Sequence, residues 1–191
     1  MSVNEFMTQF IERYPDIDRF DCATDKMIAK YEEILGYRLP VSFMAFLKEF
    51  SNGIFLLDCE PIGGVSKDSP CGDICKVNRI IEDIPNELLI VETNERIESN
   101  RLLSFTTFDA GNISNNHWVF LCEDGVPNNE YRVGLVSQSS HKIVKVLDNL
   151  EEWLTIFWEQ DDEDEMTYPV FHVLYPSYEE RGEILYDWWL D

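Results

Sequence analysis

The sequence predicts an α+β domain, with helices packed on a mainly antiparallel sheet. Apolar residues recur at helical period near the start of the chain and again beyond residue 149. Between residues 54 and 146 they change to short runs separated by turn residues. The hairpin-like spacing of those runs favours antiparallel pairing, because parallel strands need longer crossovers. A hydrophobic content of 45% over 191 residues suits one globular core with no need of covalent staples.

Each element has its own warrant. Val3, Phe6, Met7, Phe10, Ile11 and Tyr14 line one helical face. Ser2 and Glu5 have the spacing of a capping box, and Pro15 stops the helix. A second helix runs from about residue 25 to 35, with Met27, Ile28, Tyr31, Ile34 and Leu35 as its apolar stripe. Thr24 caps it, Asp25 suits the positive end of its dipole, and Gly36 terminates it. A third helix starts at Pro40 and buries Phe43, Phe46, Leu47 and Phe50, with Asn52-Gly53 as the stop. The short connection through Leu39 makes helices two and three neighbours.

Strands are expected at residues 54–57, 74–80, 88–92, 102–108, 117–123, 131–137 and 142–146, with turns at 109–112 and at Asp124-Gly125. Leu150, Trp153, Leu154 and Phe157 mark another helix, with Asn149 and Glu152 as its capping box. The acidic run 159–165 follows, then an extended stretch at 168–175. A last helix is capped by Ser177 and Glu180 and carries Leu185, Trp188 and Trp189.

Thirty-seven acidic residues against fifteen basic ones give a net charge of −22. That disfavours nucleic acid and anionic membranes as partners, since both repel an acidic surface. Residues 151–191 alone hold 13 acidic residues and one basic residue. No apolar run is long enough to span a bilayer and no secretory signal is visible at the start. Five cysteines, an odd number, point to free thiols in a reducing cytoplasm.

The segment around residues 24–53 resembles the opening of the SUKH superfamily. The resemblance rests on Leu35-Gly36, Leu39-Pro40, Phe43, Phe46-Leu47 and Asn52-Gly53, in that order and spacing. It continues through residues 104–120, similar to the family's central hairpin, and residues 150–154, similar to its closing helix with a Trp-Leu pair. The superfamily includes fungal Smi/Knr-type regulators of cell-wall glucan synthesis and bacterial immunity proteins that neutralise toxins. The resemblance divides the chain into an N-terminal helix and connector at 1–23, a SUKH-like domain at 24–158, and an acidic segment with a C-terminal helix at 159–191. The motif residues specify the fold and carry no chemistry of their own.

The remaining constellations point away from catalysis. Cys59, Cys71 and Cys75 lack the paired spacing of a structural zinc site, and His117, His141 and His172 are scattered. Cys22 and Cys122 read as core or half-buried thiols. No nucleophile elbow or phosphate loop is present. Asp161, Asp162, Glu163, Asp164 and Glu165 lack the glycine and alternation of a calcium loop. They read first as a solvated linker. Trp188 and Trp189 either dock on the sheet or first helix, or anchor a partner. The expectation is a non-enzymatic, cytoplasmic protein-binding module without a cofactor. By the resemblance, its partner is a cognate toxin, probed by the acidic run and the two tryptophans. The alternatives are a Smi/Knr-type regulatory scaffold and an enzyme of unrecognised type. The oligomeric state is left open.

Overall fold

The computed structural model describes residues 1–56, 60–69, 74, 84–106, 117–137 and 140–159. The expected strand at 74–80 (apart from Ile74), the turn at 109–112, and the acidic run, extended stretch and last helix beyond 159 lie outside the described residues.

Helix α1 (Val3–Arg13) carries the expected capping box, with Ser2 accepting from the Glu5 amide and the Glu5 carboxylate accepting from the Ser2 amide. Helix α2 (Asp25–Leu35) is capped by Thr24 and ends at Gly36, whose φ of 79° is left-handed. Of its stripe, Ile28 and Tyr31 are buried, whereas Ile34 is 53% exposed and faces solvent. Helix α3 (Val41–Ala45) begins one residue later than the sequence implied. Pro40 is its N-cap, with extended ψ, and cannot cap through its side chain. Glu130 supplies the cap from 88 residues away, accepting from the Ser42 amide at 2.8 Å and the Ser42 hydroxyl at 2.6 Å.

Beyond Ala45 the same helix widens into a π turn, Phe46–Phe50, closed by the Ser51 amide donating to the Phe46 carbonyl. The Leu47 carbonyl in this turn accepts from the Ala23 amide at 2.8 Å, which ties the connector to the helix. Two carboxylates join α2 to α3. Asp25 pairs with Lys48 at 2.6 Å, and buried Glu32 accepts from the Leu39 amide at 2.8 Å while also holding Arg38.

Strands β1 (Ile54–Leu56) and β2 (Glu60–Ile62) form a small antiparallel pair. The main sheet has the order β4-β3-β8-β7-β6-β5 among the described residues. Its strands are β3 (Glu87–Ile90), β4 (Arg96–Glu98), β5 (Leu102–Ser104), β6 (His117–Leu121), β7 (Val133–Ser137) and β8 (Lys142–Leu147). All neighbours are antiparallel except β3 and β8, so the sheet is mixed. Hairpin spacing could not reveal that pair, because a long excursion separates its two strands. A 3₁₀ turn, Ser99–Arg101, links β4 directly to β5, the strand at the opposite end of the order, so the sheet curls.

Both faces of the curled sheet are buried. Leu103, Trp118, Phe120, Val133, Leu135 and Leu147 meet the helices. Leu88, Ile90, Ile97, Leu102, Val119, Leu121, Val136 and Ile143 form a second core inside the curl. A bulge between β7 and β8 serves this second core. Residues 143 and 146 would face opposite sides of a regular strand, yet the register shift lets both Ile143 and Val146 pack inward. Gly134 fits there because a Cβ would stand 3.0 Å from Ile143 Cγ2 and 3.1 Å from Leu121 Cδ2.

On the helix side the aromatic rings close into a circuit. Phe43 meets Phe120 at 5.4 Å, Phe120 stacks on Phe105 at 4.5 Å, and Phe105 meets Trp153 at 5.6 Å. Trp153 and Phe157 lie on helix α4 (Leu150–Glu159), and Phe157 meets Phe6 of α1 at 6.5 Å. Phe6, Phe10, Phe50 and Phe46 return the path to Phe43. Helix α1 is therefore part of the same core. Its start is pinned on α4 by the Val3 amide donating to Glu151 and the N-terminal ammonium donating to Thr155.

Two substitutions test this packing. Phe46→Ala should destabilise by about 3–5 kcal/mol, the range for a fully buried Phe. Glu130→Ala should cost about 1–2 kcal/mol by uncapping α3. Urea midpoints at constant m-value read both, and a loss under about 0.5 kcal/mol at Phe46 would contradict the packing.

Candidate interaction surface

Asn52-Gly53, expected only to stop a helix, forms a buried clamp. The Asn52 side-chain oxygen accepts from the Val65 amide at 2.8 Å, and its carbonyl accepts from the Ser69 hydroxyl at 3.1 Å. Gly64 approaches so closely that a Cβ would run into the Asn52 carbonyl, and Gly53 takes φ 93°. Leu39, Phe43, Phe46 and Leu47 are fully buried, Leu35 is half-buried, and Gly36 and Pro40 hold the turn between α2 and α3. The motif residues thus build the scaffold. Gly64, Ser69, Glu32 and Glu130 complete it, and no local pattern in the sequence marks them.

A polar cleft opens where β3 and β4 approach the β6–β7 end of the curl. It is lined by Ile90, Ile97, Glu95, Glu98, Glu123 and three arginines, Arg96, Arg101 and Arg132. Arg132 bridges Glu123 and Glu95. Arg101 contacts Asp124 at 2.9 Å, Glu98 at 3.9 Å and the Cys122 carbonyl at 3.2 Å. Arg96 lies 3.9 Å from Glu87. Hydrogen bonds donated to Asp124 and Glu123 hold the guanidinium groups of Arg101 and Arg132 still more firmly protonated. Permanently charged and already paired, they neither shuttle protons nor present an open anion site. Counting Glu87 and Asp124, five carboxylates surround three arginines. The lining itself balances three carboxylates against three arginines, and Glu87 and Asp124 beside it make the surrounding surface net negative.

Beside Arg101, Cys122 is a buried and unreactive thiol. Cys122 is 1% exposed, and burial pushes its thiol up to about 12, so Cys122 supplies no thiolate at neutral pH. Burial also pushes Tyr37 and Tyr131 upward. Cys22, expected to be at least half-buried, is exposed, because the connector between α1 and α2 runs over the surface. Cys59, Cys71, Cys75, His172, residues 161–165, Trp188 and Trp189 lie outside the described residues, as does the side chain of His117. Among the described residues, no group of three or more His, Cys, Asp or Glu side chains is placed to hold a metal ion. No helix among them is long and apolar enough to cross a membrane.

The buried thiol makes a pH prediction. Its folded value lies above its ordinary 9.0, so the unfolded chain releases the proton first. The contribution is fully present below about pH 9 and is lost between pH 9 and about 12, at roughly 1.4 kcal/mol per pH unit. The two tyrosines extend the loss in the same direction at higher pH. Urea midpoints of wild type and Cys122→Ala between pH 8 and pH 10 check this. The variant's midpoint should vary less with pH, and parallel curves would contradict the assignment.

A family model described as the SMI1 / KNR4 family (SUKH-1) matches residues 22–168. No curated protein matches the chain significantly. The matched span includes the clamp at Asn52, the curled sheet, the cleft and α4, and leaves α1 outside it. On this match over most of its length, the chain belongs to the SMI1/KNR4 (SUKH-1) family.

Proposed function

We propose that the chain is a non-catalytic, cytoplasmic immunity protein that neutralises a cognate, basic protein toxin by direct binding. The observation that carries this reading is electrostatic. A family member with net charge −22 also surrounds the arginines of this cleft with a surplus of carboxylates. Such a surface attracts a basic protein over long range and repels nucleic acid, so it competes for a basic toxin that acts on nucleic acid. Neutralisation then follows from occupying the toxin's active site or substrate channel. Asp161, Asp162, Glu163, Asp164 and Glu165 contribute to steering, and Trp188 and Trp189 anchor the contact, since aromatic residues dominate interface energetics.

Stopped-flow association with the product of the adjacent gene, across a salt series, tests this. Association should be fast at low salt and slow steeply toward about 0.15 M ionic strength, where the Debye length is about 8 Å. Dissociation should change less, since it depends on desolvated central contacts. Neutralising the five residues 161–165 together should slow association several-fold at low salt. Absence of binding at every salt concentration, or a non-toxic neighbour, would sink the immunity reading and leave a regulatory scaffold in its place.

A further inference from the structure

Among the described residues, strand β4 ends the sheet and pairs with β3 on one side. The Ile90 amide donates to the Glu95 carbonyl and the Ser99 amide to the Asn86 carbonyl. Residues 95, 97 and 99 therefore turn their backbone polar groups toward β3. In an antiparallel ladder the intervening Arg96 and Glu98 turn theirs to the outer edge. Their side chains are 65% and 61% exposed and share the face opposite Ile97, which is buried in the second core.

The charges along this edge are unresolved within the chain. Glu98 stands directly opposite Glu87 in the β3–β4 register, a like-charge arrangement that costs stability. Arg101 comes only to 3.9 Å of Glu98 and makes its closer contact with Asp124. Arg96 comes only to 3.9 Å of Glu87.

We propose that the β4 edge pairs with the same edge of a second copy of this chain, antiparallel about a two-fold axis at Ile97. The sequence Arg-Ile-Glu is self-complementary in that register. Arg96 of each copy falls opposite Glu98 of the other, on the same face, at both ends of the contact. Those two positions are also the ones whose N–H and C=O groups point outward, so charge pairing and hydrogen bonding demand the same register. Ile97 meets its own copy as the non-hydrogen-bonded pair between them. An edge of uniform charge would repel a second copy, the usual protection of sheet edges, whereas alternating signs favour one register. The contact is short and both copies are strongly acidic. The dimer is therefore weak, below the roughly 1,200 Å² of stable interfaces, and forms best where salt screens the long-range repulsion.

Sedimentation velocity of the full chain over a concentration series, at about 0.15 M salt, tests this without any toxin. Wild type should show a concentration-dependent monomer–dimer equilibrium. Arg96→Glu and Glu98→Arg should each lower the dimer fraction several-fold, and the double exchange should restore it. Net charge alone predicts otherwise, because Glu98→Arg makes the chain less acidic and would strengthen association. Glu98→Pro tests the backbone separately. Glu98 already has φ −67°, which proline adopts, and its amide is not used by β3. That variant should melt no lower than wild type and lose the dimer, while Glu98→Ala, which retains the amide, should lose less. A wild type that stays monomeric throughout, a dimer unchanged by Arg96→Glu, or a double exchange that fails to restore association would overturn the proposal.

Discussion

A closed circuit of nine aromatic side chains holds the helices to the sheet, and the rest of the structure depends on it. It runs from Phe43 through Phe120 and Phe105 to Trp153 and Phe157, then through Phe6, Phe10, Phe50 and Phe46 back to Phe43. Edge-on and stacked contacts of this kind add to the area that each ring buries, so losing one ring disturbs its neighbours on two elements. The circuit takes in both ends of the π turn, Phe46 and Phe50, while the Leu47 carbonyl between them accepts from the Ala23 amide of the connector. It also makes α1, which precedes the matched span, a structural part of the core. One buried group stays unsatisfied within the circuit, the indole N–H of Trp153, which contributes area rather than a hydrogen bond.

The electrostatics follow the same logic of scarcity. With fifteen cations among thirty-seven carboxylates, three arginines, Arg96, Arg101 and Arg132, stand among five carboxylates at the mouth of the curled sheet. Carboxylates also do structural work that helix caps and backbone usually do. Glu130 caps α3, Glu32 holds the Leu39 amide, and Glu151 holds the start of α1. These few are committed to the fold. Among the described residues, most of the others face solvent, which adds to the long-range negative field on which the binding proposal rests.

Much of this was legible in the sequence. Local signals such as Ser2-Glu5, Thr24, Gly36 and the Phe43–Phe50 periodicity act within a few residues and placed the helices correctly. Ile34 fits a helical stripe yet faces solvent, because periodicity marks a possible face and tertiary packing decides its edge. The second core has a readable signal in one strand. Trp118-Val119-Phe120-Leu121 is apolar at every position, the mark of a strand buried on both faces, where a one-sided sheet would alternate. The cap at Glu130, the clamp at Gly64 and Ser69, the parallel β3–β8 pair and the charged cleft join residues far apart in the chain. No local spacing encodes them.

The central claim is that this fold neutralises its partner by occupying it and performs no chemistry upon it. Titrating a fixed concentration of the neighbouring toxin with the chain, well above the dissociation constant, tests that most directly. Residual toxin activity should fall linearly and reach its floor at one equivalent of chain, with the toxin's intact mass unchanged. Inactivation by a small fraction of an equivalent, or a change in toxin mass, would reveal catalysis and contradict the account.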